Sequence, residues 1–255
     1  MSRRLDGSRD AALRFAHELA DAADAITLAR FRALDLEVAT KPDLSPVSEA
    51  DRAAEEAIRS RVHASGRGEG VLGEEGGDDG SSARWIVDPI DGTRSYVRGV
   101  PVWATLLALE VDGVAEVAVA SAPALSRRWW ACRGEGAFAA GVRCAVSRIG
   151  RVEDAIVSTT SAAGMPAGWA ALAGRAWADR GLGDFWQHCL VAEGAIEIGC
   201  DPVVELWDYA AIALLVAEAG GRCTTFEGEA PSPGGCSLVS TNGLLHVEAV
   251  AAFAA

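Results

Sequence analysis

The chain has 255 residues, of which 50% are apolar and 23% charged, and its formal net charge is −13 at pH 7. This is ordinary globular composition, long enough for one or two domains. The negative charge argues against nucleic acid as a partner, because affinity for nucleic acid comes mainly from Lys and Arg, and it argues equally against an anionic membrane surface. An anionic ligand would therefore need positive charge from another source, and a metal ion is the obvious candidate.

The six cysteines show no C-x-x-C spacing, so a zinc or redox motif is not indicated, and we interpret them as reduced thiols. Residues 1–20 contain four arginines but no uninterrupted apolar region, which argues against a signal peptide. No apolar run approaches the roughly 18 residues of a membrane span. We therefore expect a soluble, cytoplasmic protein with no membrane partner.

Helical spacing of apolar residues predicts a first helix over about 9–31. A second helix is predicted to start near Ser48, because Ser48 and Asp51 fit the S-x-x-D start signal. Short strands follow, and Asp112-Gly113 predicts a two-residue hairpin turn between two strands. The sheet of the first half should therefore be largely antiparallel.

After about residue 146 the pattern changes. A strand is predicted over 155–161, and helices are predicted over 168–180, 185–193 and 207–221, the last with a Gly-Gly stop. Two short strands and a helix over 244–253 close the chain. We interpret this change as two lobes of one compact unit: an N-terminal α+β lobe, 1–146, and a C-terminal α/β lobe, 147–255.

One stretch, RWIVDPIDGTRSY at 84–96, brings two acids close together. An apolar run stops at Asp88, and Asp91 follows three residues later. Pro89 makes a continuous helix improbable, so the pattern predicts a strand end that turns into a helix start. Two such carboxylates repel each other unless a cation lies between them, and hard oxygen ligands of this kind suit Mg²⁺. An isolated D-x-x-D-G could equally be a plain turn with a helix cap.

The same stretch also offers an anion site. Gly92 and Thr93 would begin the helix, where backbone N–H groups lack acceptors and the dipole favours negative charge. A phosphate at these amides and a divalent cation at the two aspartates make sense together, because the cation would bridge the aspartates to the phosphate.

Four further acids occupy comparable positions. Glu74 and Glu75 follow a short apolar strand, and Asp51 and Asp208 lie at predicted helix starts. Each has a plain alternative, since an acid in the first turn of a helix is favourable by ~0.5 kcal/mol without any further role.

Taken in order, VLGEE (71–75), WIVDPIDGT (85–93) and LWDYAA (206–211), with EAGG after it, resemble the inositol monophosphatase family. The resemblance covers nearly the whole chain, including 41–51. It implies an α+β fold, a layered αβαβα sandwich with the active site between the lobes. It also implies a Mg²⁺-dependent phosphatase that acts on a small-molecule phosphate ester, with Mn²⁺ as a substitute metal, and a homodimer.

The resemblance implies roles by motif position, with two metals and a third held loosely. Glu74 and Asp88, with the Ile90 carbonyl, would hold the first metal, and Asp88, Asp91 and Asp208 the second. The amides of Gly92 and Thr93 would contact the phosphate. Glu75 and Asp51 would orient water or the third metal, and Thr93 would hydrogen-bond the attacking water. The catalytic set is therefore Glu74, Thr93, Asp51 and Glu75.

The substrate is less sharply indicated. Stretches 97–109, 121–138 and 183–198 look most similar to histidinol-phosphate phosphatases of this family. Histidinol carries an ammonium group and an imidazole, so its pocket needs acids beyond the metal ligands, and Asp184 and Asp201 are spare acids of this kind. His188 lies on the predicted helix beside them and could face the pocket. An inositol or broad sugar phosphate monophosphatase, and an inactive regulatory protein on the same fold, are the alternatives.

Overall fold

A computed structural model describes residues 8–42 and 44–254. The first seven residues, which belong to the segment predicted not to be a signal peptide, lie outside the described part. The helices are α1 (Ser8–Arg30), α2 (Glu49–Ala64), α3 (Thr93–Val97), α4 (Gly168–Arg175), α5 (Asp184–Glu193), α6 (Leu206–Glu218) and α7 (His246–Phe253).

Strands of the first half are β1 (Val38–Thr40), β2 (Pro46–Ser48), β3 (Gly70–Gly73), β4 (Gly77–Asp78), β5 (Ala83–Asp91), β6 (Ala104–Val111), β7 (Val114–Ala122), β8 (Arg127–Cys132), β9 (Gly136–Ala139) and β10 (Val142–Arg143). Those of the second half are β11 (Ile156–Thr159), β12 (Ala178–Arg180), β13 (Ile198–Val204), β14 (Arg222–Thr224) and β15 (Cys236–Thr241).

Two larger sheets and three helix layers alternate through the molecule, and β1 and β2 form a separate two-stranded sheet. The large sheet has the strand order β10-β9-β8-β7-β6-β5-β3-β4, and the smaller one has the order β12-β11-β13-β15-β14. Helices α1 and α2 cover one face of the large sheet, α5 and α6 lie between the two sheets, and α4 and α7 cover the outer face of the smaller sheet. This arrangement confirms the predicted α+β class and the layered αβαβα sandwich.

Local sequence signals account for much of the first half. On α1, Ala12, Ala16, Leu19 and Ala23 recur on one face and are buried against the large sheet. As predicted, Ser48 caps α2 in a capping box with Asp51. The predicted hairpin joins β6 and β7, and within the large sheet only the β3–β5 pairing is parallel among the described strands.

One predicted helix is partly wrong. The helix predicted over 168–180 ends at Arg175, and Ala178–Arg180 forms strand β12 instead. This segment pairs in parallel with β11 at the edge of the smaller sheet, so tertiary pairing overrides the local helical pattern. The division into lobes at residue 146 stays a prediction, since α5 and α6 pack against both sheets.

Strand β5 carries the irregularity that matters most for the acids. The sequence pattern predicted that this strand would end at Asp88, but β5 continues to Asp91. Asp88 lies opposite Leu106 and Asp91 opposite Ala104, so three steps on β5 match two on β6. This extra residue is a β-bulge, and it turns Asp88 and Asp91 to the same face of the sheet. That face packs against α5 and α6, because Leu106 and Ala104 belong to the same buried cluster as those helices.

Within the described residues, no helix has the length and apolar character needed to cross a bilayer.

Candidate functional site

Three carboxylates converge where β5 meets the first turn of α6. One oxygen from each of Asp88, Asp91 and Asp208 lies within 4.8 Å of the others. The β5 bulge supplies the first two acids, and Asp208 follows three residues after Glu205, which caps α6. The fold therefore unites acids that are more than a hundred residues apart in sequence.

Each of these carboxylates is anchored by a backbone amide. The N–H of Ile90 donates to Asp88 Oδ1 over 2.9 Å, and that of Glu205 donates to Asp208 Oδ2 over 2.7 Å. The third amide comes from the other half of the chain, because the N–H of Phe185 on α5 donates to Asp91 Oδ2 over 2.6 Å. These bonds fix the orientation of each side chain and use one oxygen of each, so the second oxygen is available to a further ligand.

The cluster is electrostatically unfavourable without a counter-ion. Burial raises the pKa of Asp88 well above its ordinary value, and the charges of Glu74 and Asp91 raise it further. Burial and the charges of Asp184 and Asp208 do the same for the pKa of Asp91. Burial raises the pKa of Asp208 to about 7. A divalent cation would relieve this repulsion, and an all-oxygen donor set suits Mg²⁺. The residues therefore fit a metal of this class.

Glu74 and Glu75 extend the acidic region, and the chain already places a cation against them. The Lys41 ammonium lies 2.6 Å from Glu74 Oε1 and 2.5 Å from Glu75 Oε1. Burial lowers the pKa of Lys41, but the hydrogen bonds to Glu74 and Glu75 outweigh burial and raise it. Burial also raises the pKa of Glu74, which remains elevated despite Lys41. The Lys41 side chain thus already supplies a positive charge to this part of the site.

A buried glutamate on α2 supports the same turn. Glu55 accepts hydrogen bonds from the backbone N–H groups of Glu75 and Gly76, each over 2.8 Å, and pairs with Arg59. The segment after β3 is therefore fixed by α2. Neither Glu55 nor Lys41 lies within a short motif that indicates its distant partner, so the sequence did not predict these contacts.

Asp51 and Thr93 form a second, smaller group. Asp51 Oδ2 accepts from the Ser48 N–H and hydroxyl over 2.8 and 2.6 Å, which is its capping role. Its other oxygen lies 3.3 Å from Thr93 Oγ1, and the Thr93 hydroxyl also reaches the Ile90 carbonyl over 2.9 Å. Burial raises the pKa of Asp51 to about 6. Asp51 is thus both a member of the capping box of α2 and a candidate catalytic group.

The turn after Asp91 requires glycine. Gly92 has φ +83°, and a Cβ at this position would lie 2.9 Å from the Val102 carbonyl oxygen and 3.2 Å from Asp184 Oδ2. The helix that follows, α3, has only five residues, so its dipole is small. Any anion binding at Gly92 and Thr93 would therefore depend on the amide N–H groups themselves.

The spare acids line a cavity beside the cluster. Asp184 and Asp201 share it with Asp91, Asp208 and His188, and its volume is about 120 Å³. Asp184 adopts a positive φ of 47° at the start of α5, and its N–H donates to Thr160 Oγ1 over 2.7 Å. Burial raises the pKa of Asp184 to about 6, and the charge of Asp201 adds to this effect. The cavity is thus strongly acidic.

The contacts of Asp201 were missed from the sequence. Its carboxylate accepts hydrogen bonds from His188 on α5 and from the neighbouring Gln187. Strand β13 and helix α5 bring these residues together, and only the helical spacing of His188 relative to Asp184 hinted that it could face the same cavity.

Comparisons with known proteins point to one family. Residues 8–254 match the model of the inositol monophosphatase family. A histidinol-phosphatase of Mycobacterium tuberculosis is 51% identical, over 92% of this chain and 95% of the relative. A histidinol-phosphatase of Streptomyces coelicolor is 47% identical, over 92% of this chain and 94% of the relative. Among solved structures, an IMPase of Thermotoga maritima superposes with a TM-score of 0.89 at 29% identity, over 95% of this chain and 96% of the other.

The raised pKa of Asp208 leads to a prediction for the metal-free protein. With a folded pKa of about 7 against an ordinary 3.8, its contribution to stability is fully present below pH 3.8 and is lost as the pH rises through about 7. Asp208→Asn removes the charge and keeps an acceptor for the Glu205 N–H. It should therefore raise the metal-free Tm by about 2–4 °C at pH 8, and by less at pH 5.

The measurement is thermal unfolding in chelator at both pH values. Asp10→Asn is the matched control, since Asp10 is an exposed acid in the first turn of α1, and it should give no gain at pH 8. If Asp208→Asn changes the Tm by the same amount at both pH values, the charge of Asp208 does not destabilise the metal-free protein as predicted.

Proposed function

We propose that this chain, which belongs to the inositol monophosphatase family and is a phosphoric monoester hydrolase, hydrolyses L-histidinol phosphate to L-histidinol and phosphate with Mg²⁺. The observation that carries the choice of substrate is the acidic cavity, in which Asp184 and Asp201 lie beside the carboxylate cluster without belonging to it. The two histidinol-phosphatase relatives, which align with nearly the whole chain, support the same choice.

We assign the metal ligands by motif position, and the convergence of Asp88, Asp91 and Asp208 supports one of the two sets. Glu74 and Asp88, with the Ile90 carbonyl, would hold one ion, and Asp88, Asp91 and Asp208 would hold another. Bound divalent cations lower the pKa of water and offset the charge of a phosphate. The anchoring amides hold the carboxylates in place before any ion arrives, so the site is preorganised.

Thr93 and Asp51 would orient the attacking water. The Thr93 hydroxyl can accept from that water while donating to Asp51 Oδ1 or to the Ile90 carbonyl. Asp51, whose pKa is raised to about 6, can take up a proton through this contact close to neutral pH. Glu75, fixed through Glu55, would orient the same water or a third ion. Backbone N–H groups of Gly92 and Thr93 would contact the phosphate.

The leaving alcohol would lie in the acidic cavity. An ammonium or imidazolium group on that alcohol would offset the charges of Asp184 and Asp201, which otherwise raise each other's energy at close range. A neutral polyol such as inositol offers only hydroxyl groups and leaves this charge unbalanced. The charge of the cavity therefore favours histidinol phosphate over inositol phosphate as the substrate.

The metal assignment predicts that Asp88→Asn abolishes turnover. Asp88 would be shared by both proposed ion sites. Even the outer partners of metal ligands typically contribute 10–100-fold to affinity or activity, so the loss should exceed about 100-fold. Phosphate release in saturating Mg²⁺ measures it, and thermal unfolding in chelator should show a fold at least as stable as wild type. Wild-type protein should lose activity in EDTA and regain it with Mg²⁺ or Mn²⁺. Normal turnover of Asp88→Asn in saturating Mg²⁺ would overturn the assignment.

The substrate assignment predicts a selective effect of Asp201→Asn. A charge-assisted contact contributes about 1.5–3 kcal/mol, so kcat/KM for histidinol phosphate should fall roughly 10- to 100-fold. Hydrolysis of glycerol phosphate, whose alcohol is neutral, should fall much less. Asp179→Asn, at an exposed acid on β12, is the control and should affect neither ester. An equal loss on both esters would indicate damage to the metal site, and the protein would then be better described as a broad phosphatase.

A further inference from the structure

A buried histidine holds the acid that would recognise the substrate. His188 is only 2% exposed, and its Nε2 lies 2.6 Å from Asp201 Oδ2. On the other side of the ring, Nδ1 lies 2.6 Å from the hydroxyl of Ser240 on β15. Three elements, α5, β13 and β15, thus meet in one hydrogen-bonded chain that ends at the acidic cavity.

The direction of these bonds follows from the groups involved. An ionised carboxylate can only accept, so Nε2 carries the hydrogen and donates to Asp201. On a neutral ring, Nδ1 then accepts from the Ser240 hydroxyl, whose other acceptor, the Gly199 carbonyl, is 3.5 Å away. In this tautomer the histidine orients Asp201 without neutralising it, so the carboxylate keeps its full negative charge for the cavity.

The hydrogen bonds to Asp201 are one-sided. Gln187 Nε2 donates to the same Oδ2 over 3.0 Å and also to the Cys200 carbonyl over 3.1 Å. Both donors therefore converge on one oxygen, and the remaining oxygen is left for a group in the cavity, which Asp201 lines together with His188. This is the anchoring pattern of the metal-site aspartates, here built from side chains instead of backbone amides.

A Ser-His-Asp hydrolytic triad is the obvious alternative for these three residues, but the geometry excludes it. Ser240 is fully buried, with 0% exposure, so its hydroxyl cannot reach a substrate. It also lies on Nδ1, whereas the nucleophile of a serine hydrolase lies on Nε2 and the aspartate on Nδ1. The order of the hydrogen bonds in Ser240–His188–Asp201 is therefore the reverse of a catalytic triad. The group of this chain that can contact a ligand is the Asp201 carboxylate, not the Ser240 hydroxyl.

We propose that His188, held by Ser240, is a positioning residue that fixes the Asp201 carboxylate for the cationic part of the leaving alcohol and so sets the preference of this enzyme for histidinol phosphate. This inference rests on the proposed function and adds the means by which the cavity discriminates. A carboxylate held in place before binding loses no rotamer freedom when an ammonium or imidazolium group arrives. A neutral hydroxyl gains much less from the same carboxylate, so the preorganisation acts mainly on cationic substrates.

The test compares two esters across four proteins: wild type, His188→Leu, Asp201→Asn and the double variant. In His188→Leu, kcat/KM for histidinol phosphate should fall roughly 10-fold, mainly through KM, and that for glycerol phosphate should fall much less. In the Asp201→Asn background, adding His188→Leu should lower kcat/KM for histidinol phosphate by less than about 2-fold. A residue that acts through the Asp201 carboxylate has no effect once that carboxylate is absent.

Two further variants keep the test independent of folding. His188→Gln retains an N–H donor near the position of Nε2 and should recover a large part of the loss, and Ser240→Ala should lower activity in the same direction by a smaller factor. Turnover of glycerol phosphate and the Tm verify that each variant is folded. Additive losses in the double variant, equal losses on the two esters, or no rescue by His188→Gln would each overturn the positioning role. A wild-type enzyme that shows no preference for histidinol phosphate would overturn the proposed function and this inference together.

Discussion

The repulsion among buried carboxylates around Asp88 is the constraint on which the site depends. Burial and neighbouring charges raise the pKa values of Asp88, Asp91 and Asp208, so their ionised forms weaken the fold unless a cation balances them. The fold holds them together through single backbone amides that each bond one oxygen. The bond from the Phe185 N–H to Asp91 matters most, because it joins the large sheet to α5 and so fixes the cavity relative to the cluster. The same repulsion among carboxylates thus affects both the stability of the fold and the affinity of the site for a cation.

Other carboxylates of the site are also anchored by hydrogen bonds to one oxygen, but the donors differ. Asp51 is held by the helix cap at Ser48, and Asp201 by His188 and Gln187. In each case the chain uses one oxygen of the carboxylate for its own structure. The other oxygen lies 3.3 Å from Thr93 Oγ1 in Asp51, and in Asp201 it is left for a ligand. In the proposed function, the acids around Asp88 would hold the metal and the phosphate, and the cavity beside Asp201 would hold the leaving alcohol. Recognition of the alcohol would then depend on residues other than the proposed metal ligands.

Local and motif signals predicted a large part of this molecule. Neighbouring residues alone predicted the cap of α2, the hairpin at Asp112-Gly113 and the acids that follow short strands. The combined motifs, through the family resemblance, indicated the layered sandwich. The β5 bulge was missed, because its register is decided by β6 and not by the residues of β5 alone. Lys41 and Glu55 were missed because their partners at the site lie 20 to 34 positions away. His188 was expected to face the pocket, but its bonds to Asp201 and Ser240 were missed because these residues lie 13 and 52 positions away. Such contacts depend on packing, which no short pattern encodes.

Locating bound metal in crystals shows directly whether the carboxylate cluster is built for divalent cations. Crystals of the metal-free protein soaked in Mn²⁺ should show anomalous density bounded by Asp88, Asp91 and Asp208, and a second peak beside Asp88 and Glu74. In the same crystals the Lys41 ammonium should have moved away from Glu74, because an ion at Glu74 would repel it. Absence of anomalous density between the three aspartates at saturating Mn²⁺, with their side chains arranged as described here, would contradict the account.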